Sequence, residues 1–111
     1  NGGNAMEFAI TTAAGGGESQ VTAPSALPTG WHHVAITVDG VAGQLVLYLD
    51  GAVVAEGPTT TLPSNLGNTT QNWIGRSQYT ADPYFGGSVD DFRIYSRALT
   101  EPEVRYLVGG P

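Results

Sequence analysis

Arg76, Tyr79, Asp82 and Tyr84 lie within nine consecutive residues, and together they offer two aromatic faces, a guanidinium and a carboxylate. That set suits a sugar, whose C–H face stacks on an aromatic ring while its hydroxyls accept from a guanidinium and donate to a carboxylate. The competing reading is an ordinary tyrosine-rich surface loop. His32 and His33 are adjacent, so on a strand they point to opposite faces and cannot share a metal ion. With no cysteine and no further histidine in the chain, nothing would complete such a site. They read as half-buried histidines with hydrogen-bonded rings, and Trp31 and Trp73 read as core packing. Glycoside hydrolysis needs two carboxyl groups at a fixed separation. Glu101 and Glu103 are close in sequence but fall at a helix start, where the helix dipole accounts for them. No serine nucleophile turn is recognisable, so the expectation is that the chain is not an enzyme.

The elements that would carry these residues are mostly strands. In WHHVAITVDGVAGQLVLYLD, Trp31 to Asp50, His32, Val34, Ile36 and Val38 share one strand face, and Leu45, Leu47 and Leu49 share another. An Asp39-Gly40 turn joins the two runs, and Asp50-Gly51 ends the second. Both runs are apolar enough to be covered fully on one face and partly on the other, as in a two-sheet sandwich. Further strands are expected at Met6–Thr11, Glu18–Ala23, Ala52–Glu56, Asn72–Ser77 and Phe85–Ser96. Gly15-Gly16-Gly17 separates the first two. In the last, Val89, Phe92 and Ile94 alternate imperfectly, which predicts a bulge near Asp90-Asp91 and side chains that diverge there. One helix is expected over Glu101–Leu107. Thr100 and Glu103 have capping-box spacing, Pro102 is tolerated in the first turn, Leu99 and Val104 can form a hydrophobic staple, and Gly109-Gly110-Pro111 stops it.

With 111 residues, the chain has room for one domain, taken as residues 1–111. Ten carboxylates oppose four arginines, there is no lysine, and the net charge is −6. Without a basic stripe this argues against binding nucleic acid or an anionic membrane. No apolar run reaches the length of a transmembrane helix, and NGGNAMEF has none of the regions of a signal peptide.

The segments WHHVAITVDG, LYLDG, NWIGRS and FGGSVDDFRIYSRALTEPEV, in this order, resemble the laminin-G-like, concanavalin A-like jelly-roll domains, particularly those appended to bacterial extracellular glycosidases. They span roughly two thirds of the chain, from Trp31 to Val104, and the last is the most specific because it joins a strand to a capped helical turn. The resemblance implies an all-β fold, an antiparallel β-sandwich with one short C-terminal helical turn. It also implies strands before the Met6 region that this sequence does not contain, so the domain is expected to be incomplete at its N-terminus and completed by a missing segment or a second chain, since a bare strand edge is a pairing template. An aspartate at the position of Asp90 often helps to hold a structural calcium in such domains. The alternative is that Asp90 caps backbone amides or pairs with Arg93 or Arg97.

This superfold hosts lectins, hydrolases and spacers alike. The function expected from the sequence is a non-catalytic carbohydrate-binding or accessory module of a secreted, extracellular carbohydrate-active protein, with glycan held at Arg76, Tyr79, Asp82 and Tyr84. The alternative is a structural module that packs against a catalytic domain or partner chain without touching sugar. A fragment of a glycoside hydrolase ranks third.

Overall fold

A computed structural model describes residues 5–13 and 16–109. Gly15, Gly110 and Pro111, to which sequence reasoning gave turn and stop roles, lie outside them. Among the described residues five strands form two antiparallel sheets. β1 (Ala5–Ile10) pairs with β2 (Ser19–Ala26), while β3 (Val34–Asp39), β4 (Gln44–Leu49) and β5 (Ala52–Pro58) form the other sheet in the order β3-β4-β5. A short 3-10 turn (Pro63–Asn65) follows, and the last element is α1 (Glu101–Val108).

The two-residue period decides what lies between the sheets. The register sets Ile36 opposite Leu47 and Val38 opposite Leu45, so these apolar side chains line one face together. From the other sheet, Ile10, Val21 and Ala23 join Leu45 and Leu47 in one buried cluster, with Met6, Phe8, Ile36, Val38, Val54, Ala55 and Leu66 packed around it. β5 faces this core through small side chains: a Cβ on Gly57 would come within 3.2 Å of Val21 Cγ1. An extra residue in β5 shifts the register after Leu47, so that Tyr48 pairs with Val53.

The turns follow their residue chemistry. Asp39 Oδ1 accepts the amides of Val41 (2.9 Å) and Ala42 (3.1 Å), closing the β3–β4 loop that the Asp39-Gly40 pair predicted. Between β4 and β5, Asp50 (φ 52°) and Gly51 (φ 85°) are both left-handed. This is the two-residue hairpin loop whose twist suits antiparallel strands.

Helix α1 forms where the capping box predicted it and extends one residue further. Thr100 Oγ1 accepts the Glu103 amide (3.4 Å), and Glu103 Oε1 accepts the Thr100 amide (2.8 Å). Arg97 donates to the same carboxylate (Nη1 to Oε1, 2.8 Å). Arg97, with the Thr100 amide, holds the Glu103 carboxyl down to about 2. Val104 is fully buried, and the helix backbone passes close to Gly51, whose added Cβ would sit 2.8 Å from Arg105 Cγ. The helix thus packs on the β4–β5 end of the sheet.

Three expectations are corrected. Asn72–Ser77 and Phe85–Ser96 are not strands. A strand needs a neighbour for its amides and carbonyls, and none of the free edges at β1, β2, β3 or β5 pairs with either segment. Asp91 does depart from regular extended backbone (φ 55°), but within an unpaired segment rather than as a bulge in a ladder. Third, Trp31 is not core: β3 starts at Val34 and the Trp31 side chain is 73% exposed.

Candidate functional site

The four residues singled out in the sequence sit on one closed loop. Gly75 adopts φ 85° and its carbonyl accepts the Phe85 amide at 2.7 Å, which ties the two ends of the 75–85 segment together. A side chain at Gly75 would press on Phe85 Cβ at 3.3 Å, in a conformation L-residues disfavour. Within the loop, Ser77 Oγ donates to Asp82 Oδ2 (2.7 Å) and accepts the Tyr79 amide (3.0 Å), while the Asp82 amide reaches the Tyr79 carbonyl (3.2 Å). The Ser77 hydroxyl also holds the Asp82 carboxyl below the ordinary carboxylate range, so it is ionised at neutral pH.

Arg76 lies on an aromatic shelf. Its guanidinium carbon is 4.0 Å from the Trp73 ring centroid and 5.3 Å from that of Tyr84, within the range where a cation is drawn to the ring quadrupole. Its Nε donates to the Ser77 carbonyl (3.1 Å), which fixes the plane of the fork. Tyr84 is 68% exposed, and Trp73 and Tyr79 are also open to solvent. Two long-range bonds anchor the loop to the turn after β1: the Gly16 amide donates to Tyr79 Oη (3.1 Å), and Gln78 Nε2 donates to Glu18 Oε2 (2.6 Å).

The structure therefore brings together Arg76, Tyr79, Asp82 and Tyr84, and adds Trp73 and Ser77. Trp73, expected in the core, is a surface residue because 72–77 is a loop, and its ring carries Arg76. The signal available in the sequence was the Trp73-x-x-Arg76 spacing ahead of a tyrosine-rich loop. By contrast, an open depression lined by Ala42, Gly43, Gln44, Glu56, Gly57 and Pro58 has no aromatic side chain and offers no stacking surface.

The remaining candidates, the His33 ring excepted, have structural partners. His32 Nδ1 meets Asp50 Oδ2 at 2.6 Å and its Nε2 meets the Thr29 carbonyl at 2.9 Å. The Asp50 side chain and then the Thr29 carbonyl raise the pKa of His32, and His32 with the His33 amide lowers that of Asp50. A ring with an acceptor on each nitrogen is favoured as the imidazolium. His33 differs from expectation, since its Nδ1 is buried without a hydrogen-bond partner among the described residues. Asp90 is exposed and Oδ1 takes the Asp91 amide at 2.8 Å, while Asp91 pairs with Arg93 (3.0 Å). Among the described residues no three His, Asp or Glu side chains converge to hold a metal.

A family model described as the concanavalin A-like lectin/glucanases superfamily matches residues 1–105. The chain belongs to this superfamily. Over 81 residues it is 35% identical to an alpha-L-arabinofuranosidase of Bifidobacterium longum subsp. longum, a match that takes in 71% of this chain and 7% of that protein. The crystal structure of an S-layer domain-containing protein (residues 221–444) from Clostridium thermocellum superposes with a TM-score of 0.60 at 38% identity, covering 93% of this chain and 51% of that one. This concanavalin A-like chain thus spans about half of the solved relative and a small part of the arabinofuranosidase. Among the described residues, two antiparallel sheets and one short α-helix are consistent with the superfamily's β-sandwich.

Proposed function

We propose that the chain is a non-catalytic, glycan-binding module of a secreted carbohydrate-active protein, with Trp73, Arg76, Tyr79, Asp82 and Tyr84 as its binding surface. The observation that carries this reading is the Arg76 stack on Trp73 and Tyr84 within a loop tied at both ends. An exposed ring face, a fixed guanidinium and an ionised carboxylate are the groups a saccharide engages. A loop already held by internal hydrogen bonds loses little freedom when it binds. A non-catalytic role draws support from the carboxylates near the helix, since Glu103 is committed to the cap and to Arg97, and Glu101 lies 3.6 Å from Arg105. The likeness to a protein named as an arabinofuranosidase and to one named for an S-layer domain supports a carbohydrate-active, extracellular setting.

The test is affinity electrophoresis against a panel of arabinans, xylans and β-glucans, followed by calorimetry on any that retard the protein. At least one polysaccharide is expected to bind, and Arg76→Ala and Tyr84→Ala are each expected to weaken it about tenfold, equivalent to about 1.4 kcal/mol, without lowering the melting temperature. Absence of retardation across the panel, or retardation indifferent to both substitutions, overturns the reading. The structural-module alternative is favoured by a different observation, the exposed apolar side chains between Phe85 and Tyr95.

A further inference from the structure

Four arginines stand against ten carboxylates in this chain, and three of the four are matched. Arg93 Nε lies 3.0 Å from Asp91 Oδ1, Arg97 Nη1 lies 2.8 Å from Glu103 Oε1, and Arg105 Nη2 lies 3.6 Å from Glu101 Oε1. Arg76 is the exception: among the described residues no carboxylate comes within ion-pair distance of it. Its hydrogen bond there runs from Nε to the Ser77 carbonyl (3.1 Å), and Nη1 and Nη2 have no acceptor among the described residues. The ring centroids of Trp73 and Tyr84 lie 4.0 and 5.3 Å from its guanidinium carbon, but a ring face attracts the cation without taking its in-plane N–H groups. The loop's own carboxylate is turned elsewhere, since Asp82 Oδ2 accepts the Ser77 hydroxyl at 2.7 Å.

We infer that the 73–84 loop selects glycans that carry a uronic acid, whose carboxylate takes the Nη1 and Nη2 donors of Arg76. This rests on the glycan-binding reading of the loop and names the class of sugar it favours. A carboxylate is planar, and its two oxygens accept parallel N–H bonds from the end of a guanidinium; such charge-assisted bonds are roughly twice as strong as neutral ones. Arg76 is held beforehand by the rings and through Nε, so little freedom is lost in forming the fork. Charge selects a single carboxylate over a densely charged anion. One cation neutralises one negative charge, and every further charge on the ligand meets the field of a chain at net −6.

The test is calorimetry with glucuronic acid-substituted xylo-oligosaccharides and with short oligogalacturonides, each beside its carboxyl-reduced counterpart, in which a primary alcohol replaces the acid on an otherwise identical ring. At least one acidic oligosaccharide is expected to bind at least about tenfold more tightly than its reduced counterpart, with the excess shrinking as salt rises. Arg76→Gln is expected to abolish this preference, and Arg76→Lys to keep only part of it, because an ammonium cannot form the fork. Arg105→Gln removes the same charge from the helix and is expected to leave the preference intact. Equal affinity for the acidic and reduced forms overturns the inference and leaves the glycan-binding reading standing. Binding of neither form overturns it as well, and the neutral polysaccharides then decide the broader reading on their own. A preference that survives Arg76→Gln, an equal loss in Arg105→Gln, or tighter binding of a sulfated xylo-oligosaccharide also overturns it.

Discussion

At His32, hydrogen bonding decides the charge. Both ring nitrogens meet an acceptor, Asp50 Oδ2 and the Thr29 carbonyl, so the native pKa lies above the ordinary 6.5, while that of Asp50 lies below 3.8. The histidine contribution to stability is complete below 6.5 and is lost as pH rises through the raised native value; the aspartate contribution is complete above 3.8 and is lost as pH falls through the lowered one. The pair therefore stabilises most between these two values. The urea midpoint is expected to decline from pH 6 towards pH 9, and His32→Gln is expected to remove most of that decline. An equal decline in the variant would show that another group is responsible. This pairing was only half legible in the sequence. The two adjacent histidines excluded a shared metal site, but the partner, Asp50, is 18 residues away and meets His32 only once the β3–β4 hairpin has formed. The loop residues divide in the same way. Arg76, Tyr79, Asp82 and Tyr84 could be read from local composition, whereas the tether from Gln78 to Glu18 spans 60 residues and leaves no local trace. Trp73 lies outside the core although the segment around it has the composition of a strand.

Among the elements, the hairpins and the helix were legible because each is specified by its own residues. Period-two apolar runs gave β3 and β4, and Thr100 with Glu103 marked the start of α1. What failed were 72–77 and 85–96, whose strand-like composition expresses itself only beside a neighbour. The Asp50-Gly51 turn joins two of the successes, since it sets the hairpin twist and lies against the helix. An alanine at position 51 must adopt φ near 85° and put its Cβ 2.8 Å from Arg105 Cγ and 3.3 Å from Arg105 Cα. Left-handed backbone alone costs a non-glycine residue about 1–2 kcal/mol, and the second contact is to backbone, which cannot swing aside. Gly51→Ala is expected to destabilise by more than that amount and to loosen α1, read as faster exchange of the Val104 amide. A variant that melted like the parent would mean that the helix is not seated against the turn.

For the molecule as a whole, stability rests on a small shared core. Ile10, Val21, Ala23, Leu45 and Leu47 are its buried members, drawn from both sheets, and a domain of this size has only about 5–15 kcal/mol in hand. Leu45 is fully buried at the centre of β3-β4-β5, and truncating a buried leucine to alanine costs about 2–5 kcal/mol, the spread reflecting how far the cavity collapses. Ile94 is as large and as apolar, yet it stands in solvent, where substitutions stay within about 0.5 kcal/mol. In the 111-residue chain, Leu45→Ala should therefore shift the urea midpoint sharply downward with an unchanged slope, and Ile94→Ala should leave it in place. Composition could not have ranked these two residues, because both belong to apolar strand-like runs. The difference is whether a second sheet stands opposite: β1 and β2 cover Leu45, and nothing among the described residues covers Ile94. Comparable losses from both substitutions would mean that in solution residues 85–96 fold onto the two sheets and that the core is larger than the five residues named.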